Sequence, residues 1–253
     1  MMEKISEVKN LAEQFNNGHQ EYASFIESDP IRNFLHYPTV EDELGDIRGK
    51  RILDIGCGDG LFSRRLAKER GAHVVGYDIS PNLIERAQKK ESDAHLDIEY
   101  KVADPLTFQS PDLFDRAVAV MVLPYSPDID YIKNFFASAR NNLKERGTFV
   151  AVVFNPEFRD FNQVVANRFF RKAATAGQVN FDFLDPDTKE TKFNANLAQF
   201  SKADYERGAR EGGFLSVEWK KFTPSEEGVK KLGKEFWEKA GASQPYALIV
   251  AQK

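Results

Sequence analysis

The sequence predicts an α/β protein built on a doubly wound, mainly parallel sheet, and three observations predict it. Short apolar runs alternate with helical patterns from Lys50 onward. One of these runs, Ala117-Val118-Ala119-Val120-Met121-Val122, is apolar throughout, as a strand covered on both faces should be. A glycine-rich loop follows the first strand directly. Strands separated by helices of about ten to fifteen residues read as repeated βαβ units, whose strands pair in parallel.

The elements follow in order. Ile5, Val8, Leu11, Ala12 and Phe15 recur at helical spacing, and Asn16-Asn17-Gly18 ends that helix. A second helical stretch carries Tyr22, Phe25 and Ile26, and a third starts at Asp29-Pro30 with Ile31, Phe34 and Leu35. These leading helices are expected to lie over the glycine loop. Residues 51–55 form the first strand, and a helix through Leu61, Phe62, Leu66 and Ala67 ends at Arg70-Gly71. Residues 73–77 form the second strand, after which Ser80-Pro81 starts a helix, proline being suited to the first turn. The third strand covers 98–102, the fourth 117–122 and the fifth 148–153, with a helix holding Tyr131, Ile132, Phe135, Phe136 and Ala139 before the fifth.

Residues from about 155 to 200 lose this rhythm. They are rich in Phe and Asn, with a turn at Asp185-Pro186-Asp187, and read as an insertion near the strand ends. Ser201-Lys202-Ala203-Asp204 opens another helix, followed by a strand at 215–219, a helix with Phe236 and Trp237, and a last strand at 246–250. The expected organisation is one domain over 1–253. It comprises a helical lid (1–48), a ligand-binding core (49–153), a substrate cap (154–200) and a segment completing the sheet (201–253).

The 253 residues, 42% of them apolar, suffice for a full core. Charged residues are 29% with a net charge of -4, which gives no basic footprint for nucleic acid. Arg64-Arg65 and Lys220-Lys221 read as solvated surface pairs. With Cys57 the only cysteine, no intrachain disulfide can form. No run approaches the roughly 18 apolar residues of a membrane span, and Met1-Met2-Glu3-Lys4-Ile5 lacks a signal core. The expectation is a cytoplasmic protein with a small-molecule substrate, no nucleic acid and no membrane, with monomer and homodimer both open.

The loop Asp54-Ile55-Gly56-Cys57-Gly58-Asp59-Gly60 carries the chemistry. Its glycines permit a sharp turn and let a ligand approach main-chain N–H groups at a helix start. A dinucleotide fingerprint would need its third glycine at position 61, which is Leu61, and no Gly-Lys-Ser/Thr follows for a phosphate loop. Asp54 would repel a pyrophosphate but welcome an ammonium, such as that of S-adenosylmethionine (SAM). Asp78, about 20 residues on, stands where an acid accepts hydrogen bonds from ribose hydroxyls. Asp104 ends the third strand, where a carboxylate accepts from the adenine amine and Ala103 leaves room for the ring. For each acid the plain alternative is a backbone cap.

The set Asp54–Gly60, Asp78, Ala103-Asp104 and Met121-Val122-Leu123-Pro124 resembles the class I SAM-dependent methyltransferase family over about residues 50–153. The resemblance implies a Rossmann-like, seven-stranded sheet with its last strand antiparallel. It implies that Gly56, Cys57 and Gly58 line the methionine end, that Gly60 belongs to the cofactor-binding loop, that Asp78 and Ile79 hold ribose and adenine, that Asp104 takes the adenine amine, and that Met121 lies under the sulfonium. A narrower likeness, in Asn155-Pro156-Glu157-Phe158, Ala203-Asp204-Tyr205, Gly213-Phe214 and Glu235-Phe236-Trp237, is to methyltransferases of toxoflavin biosynthesis, which act on ring nitrogens of a flat heterocycle.

The resulting expectation is methyl transfer from SAM, giving S-adenosylhomocysteine (SAH), to an O or N atom of a small, aromatic or heterocyclic metabolite. In such a reaction the cofactor supplies the activation and the protein holds the partners in line. No constellation declares a base; His36 and Tyr125 are the candidates. Tyr22 and Tyr37 are candidates to close over the cofactor, and Tyr37, Tyr125, Phe158, Phe181 and Phe183 to meet the substrate, although most of the Phe-rich segment should be core. Asp128 and Asp130 read as helix-start acids, so no metal is expected. Cys57 reads as a small residue that the loop requires. The competing classes are a non-catalytic SAM-binding regulator and an NAD-linked oxidoreductase, the latter opposed by Leu61 and Asp54.

Overall fold

The computed structural model describes residues 26–162, 164–165, 168–173, 177–185, 188–242 and 244–253. Its larger sheet has seven strands: β1 (Arg51–Ile55), β2 (His73–Asp78), β3 (Glu99–Val102), β4 (Phe114–Val120), β5 (Leu143–Phe154), β10 (Ser216–Lys220) and β11 (Tyr246–Gln252). They lie in the order β10-β11-β5-β4-β1-β2-β3. All neighbours pair in parallel except at β11, which runs antiparallel to both β5 and β10. The seven-stranded, doubly wound expectation holds, with strand ends shifted by a few residues.

Side-chain alternation along the central strands feeds two apolar layers. Ile52, Val118, Val120, Val150 and Val152 face one side, while Leu53, Ile55, Ala117, Ala119, Phe149 and Ala151 face the other. Helix α1 (Tyr37–Leu44), α2 (Leu61–Arg70) and α3 (Pro81–Ala94) pack on the first side through Val40, Leu44, Phe62, Leu66, Ile84 and Ala87. Helix α4 (Ile129–Asn141) and α5 (Lys202–Glu211) cover the second through Ile132, Phe135, Phe136, Tyr205 and Ala209. The starts of α3, α4 and α5 are fixed by side-chain caps. Ser80 Oγ accepts from the Leu83 N–H, Asp128 Oδ1 from the Tyr131 N–H, and Ser201 with Asp204 forms a capping box. Helix α6 (Glu226–Leu232) was not foreseen, whereas α7 (Lys234–Ala242) is the expected helix holding Phe236 and Trp237.

The Phe-rich segment is more regular than its sequence suggested. It forms a second, antiparallel sheet of four strands, β6 (Val164–Val165), β7 (Arg168–Lys172), β8 (Gln178–Leu184) and β9 (Thr191–Ala198), in that order. Along β9, Phe193, Ala195 and Leu197 are buried while Asn194 and Asn196 are exposed. That period-two pattern is the strand signal, with asparagine filling the exposed positions. The Asp185 carbonyl and side chain hold the turn between β8 and β9 through the Lys189 and Thr188 N–H groups; Pro186 and Asp187 lie outside the described residues. Rings of this sheet join the apolar layer that contains α1.

Ahead of β1, a π-helical turn, Arg32–His36, runs into α1, which ends at Gly45. The helix expected over residues 5–15 lies outside the described residues, as does Tyr22. Among the described residues no helix is long and apolar enough to cross a membrane.

Candidate cofactor site

Two adjoining cavities open at the C-terminal ends of β1, β2 and β4, where the strand order reverses between β1 and β4, the usual place for a ligand in such a sheet. The first is lined by Tyr77, Asp78, Ile79, Ala103, Pro105, Met121, Val122, Tyr125 and Tyr131, among others. The second is lined by Arg32, Tyr37, Asp54, Cys57, Asp59, Leu61 and Phe62, among others. Gly56, Gly58, Leu83 and Val120 belong to both, so the two form one curved trough.

The loop between β1 and α2 makes the joint. Gly56 has φ +66°, and a Cβ there would meet Val122 Cγ2 at 2.5 Å. Gly58 has φ +57°, and a Cβ there would meet nothing within 4 Å, because it would stand in the trough itself. That is the space a ligand would fill. Gly60 lines neither cavity; it is the N-cap of α2, and the Tyr100 hydroxyl donates to its carbonyl at 3.3 Å. Cys57 donates its N–H to the Tyr77 carbonyl at 3.0 Å, and burial, reinforced by Asp54, Asp78 and Asp59, pushes its thiol well up. A protonated thiol is a poor nucleophile, which fits the small-residue reading.

The acids are differently supported. Asp78 Oδ2 accepts from the Gly58 N–H at 2.9 Å and Oδ1 from the Ser80 N–H at 2.9 Å, which fixes the carboxylate at the trough wall. Burial raises its pKa and those backbone bonds oppose the rise. Asp54 is buried and accepts from the Ser63 hydroxyl at 2.6 Å. Burial pushes its pKa up to about 7; the Ser63 bond opposes this, Asp78 adds to it, and Arg32 opposes it. Asp59 is engaged by Lys90 Nζ at 2.7 Å. Asp104 sits between two lining residues, Ala103 and Pro105, but its Oδ1 accepts from the Leu106 N–H at 2.8 Å, the local cap.

The remaining candidates separate. Tyr37 stacks on Phe62 with ring centroids 4.4 Å apart and lines the second cavity, so it faces the loop rather than the second sheet. Met121, at φ +60°, and Ile79 line the first cavity. Tyr125, in the short turn Leu123–Tyr125, lines the first cavity and also a shallow groove with Gln178, Asn196 and Gln199 of the second sheet. Phe158, Phe181 and Phe183 line neither cavity; they are buried in a ring cluster with Phe170, which stacks on Phe181 at 4.8 Å. His36 is buried against Phe222 and Tyr246. Arg32 and Tyr131 were missed. Arg32 was readable only as a charge inside an apolar helical stretch, and Tyr131 shared its spacing with core residues of α4. Among the described residues no cluster of His, Cys, Asp and Glu could hold a metal ion.

Residues 52–147 match a family model described as a methyltransferase domain. The ubiquinone biosynthesis O-methyltransferase of Hahella chejuensis (strain KCTC 2396) is 33% identical over 130 residues, covering 49% of this chain and 52% of that protein. Its namesake from Aeromonas salmonicida (strain A449) is 31% identical over 127 residues, 49% and 51% of the two chains. The chain thus spans about half the length of the curated relatives it matches. Among solved structures, an S-adenosylmethionine-dependent methyltransferase from Mesorhizobium loti is similar over 90% of this chain and 100% of its own, with TM-score 0.61 and 23% identity. Magnesium protoporphyrin IX methyltransferase from Synechocystis PCC 6803, solved with bound SAM, is similar over 98% and 97%, with TM-score 0.58 and 15% identity. These structural likenesses show the fold. The matched domain, the strand order and the glycine loop agree: residues 52–147 carry a methyltransferase domain on the seven-stranded fold that these SAM-dependent methyltransferases share.

Proposed function

We propose that the chain binds SAM along the curved trough and transfers its methyl group to an oxygen or nitrogen of a small, flat metabolite. The observation that carries this reading is the charge layout of the trough wall. At one end a carboxylate and a guanidinium, Asp54 and Arg32, line the same cavity; at the other Asp78 is held by two backbone N–H groups. The ends of an amino-acid zwitterion suit the first pair, ammonium to Asp54 and carboxylate to Arg32. A ribose diol suits Asp78, whose oxygens keep further acceptor capacity. Ala103, Pro105, Ile79 and Leu83 give apolar walls for adenine, and Asp104 stands between two of them.

Bound SAM supplies a methyl group already activated for displacement by its positive sulfur. The protein's part is alignment and the exclusion of water. Met121 and Val122, just after β4, and Tyr125, in the turn that follows, line the trough, and Tyr125 also borders a groove with the second sheet, which supports an acceptor on that side. A hydroxyl acceptor is supported by the names of the curated relatives. A ring nitrogen is supported by the C-terminal likeness alone. The reading makes residues 154–200 the acceptor's cap and residues before 49 a lid.

Titration calorimetry with SAH tests the cofactor, and no heat at about 1 mM ligand overturns it. Incubation with methyl-labelled SAM and separate pools of phenols, N-heterocycles, RNA and protein tests the acceptor. Label in the small-molecule pools supports the proposal, and label only in a polymer overturns it.

A further inference from the structure

Beside the ammonium end of the trough lies a buried polar knot that the cofactor reading does not use. His36 closes the π-helical turn that also carries Arg32, and it is 1% exposed. Neither ring nitrogen has a hydrogen-bond partner among the described residues. The imidazole stands edge-on to Tyr246 at 4.4 Å and tilted against Phe222 at 5.1 Å. Across from it, Arg168 of β7 forms a buried ion pair with Asp29, and its guanidinium lies 5.6 Å from the Phe183 ring centre and 5.8 Å from that of Tyr246. Arg32 joins the knot to the trough, since it lines the Asp54 cavity and acts electrostatically on both His36 and Arg168. Tyr246 pairs with Phe154, so the knot overlies the end of β5, next to the strand that leads into Met121.

A neutral imidazole carries one N–H donor and one bare acceptor nitrogen. Leaving both unmet in a box of rings is costly, and buried polar groups are nearly always paired. The Arg32–His36 turn that carries the imidazole and β11, which carries Tyr246, are regular structure. Phe222 belongs to the irregular segment 221–225 and is only half-buried, so of the two rings against His36 it is the less enclosed.

We propose that His36 is the hydrogen-bonding contact of the methyl acceptor, a flat molecule whose hydroxyl or ring nitrogen pairs with the imidazole while its face lies against the Phe222 and Tyr246 rings. This rests on the SAM reading. The role is recognition rather than proton removal. Burial is the first obstacle to an imidazolium here, and Arg32 on its own turn and Arg168 on β7 are two cations that oppose it further.

The test uses the full chain saturated with SAH and 4-nitrocatechol as the probe. His36→Phe keeps the ring packing and removes both nitrogens, and His36→Gln restores one polar group. Calorimetry should show the probe binding about tenfold more weakly to His36→Phe, with partial recovery in His36→Gln and the same SAH affinity in all three proteins. In nitrogen-15 spectra of the unaltered protein, the His36 resonances should move when the probe is added. Equal probe affinity in His36→Phe, unmoved His36 resonances, or no probe binding by a protein that binds SAH overturns the proposal. Absence of SAH binding is a different failure, and overturns the cofactor reading on which it rests.

Discussion

Polar groups at the ends of β1 and β2 and polar groups under the second sheet are buried in opposite ways. Around the trough, Asp54 and Asp78 sit against small residues, backbone N–H groups and open space, so each keeps capacity toward a ligand. Under β7 and β8, Asp29 and Arg168 are spent on each other inside a box of aromatic rings. The first region is arranged to be completed from outside; the second is closed over by its own side chains. A cavity edge tolerates charge because a ligand can answer it, whereas a closed aromatic layer tolerates it only as a pair.

The contrast breaks first at Gly58. Gly58→Val forces a β-branched residue to φ +57° and puts its side chain into the trough. SAH binding should fall by at least about a hundredfold by calorimetry, with circular dichroism unchanged in shape. Normal affinity would mean that the trough is not the cofactor site.

The second region should respond in stability rather than binding. Arg168→Met leaves the Asp29 carboxylate buried without its cation, and urea unfolding should show a loss of about 3–5 kcal/mol. Adding Asp29→Asn removes the stranded charge and keeps an oxygen for the Ile31 N–H, so the double variant should recover much of the loss. If the two losses simply add, the pair is not acting as a unit. Next in size is Asp78→Ala, which removes the ribose acceptor and strands the Gly58 and Ser80 N–H groups. SAH affinity should drop about ten- to a hundredfold, as expected for bonds to a charged group.

The same contrast explains what could be read from the sequence. Strands that are apolar throughout, glycines at 56 and 58, and acids ending β1 and β2 are local signals, each legible within a few residues of chain. Asp29 and Arg168 are 139 residues apart and met only when the second sheet folded over the π-helical turn. Neither residue carries a pattern of its own. The second sheet was obscured because asparagines and lysines occupy its outward positions, so the period-two signal of β9 looked like loop composition. Arg32 was missed because its place beside Asp54 exists only once the π-helical turn is set over the glycine loop. Gly60 shows the converse, a residue inside a readable motif that turned out to shape the helix start rather than line the trough.

The smallest effect probes Asp54 and has a definite sign. Its pKa in the ligand-free protein is pushed up to about 7 by burial, well above that of an unfolded aspartate at about 3.9. The folded state therefore holds the proton more tightly, and this group's contribution to stability is fullest below about pH 4 and is lost as pH rises toward 7. An ammonium beside it favours the carboxylate, so cofactor binding should expel a proton where the free carboxyl is still protonated. SAH affinity should then rise with pH from 5.5 to 7.5, by at most about tenfold per unit and levelling above 7, and calorimetry in buffers of different ionisation enthalpy should detect the released proton. Asp54→Asn, which keeps a side-chain oxygen for Ser63, should weaken binding at pH 8 and flatten the profile. A profile equally steep in Asp54→Asn would move the titrating group elsewhere, with Asp78 the next candidate because burial raises it as well.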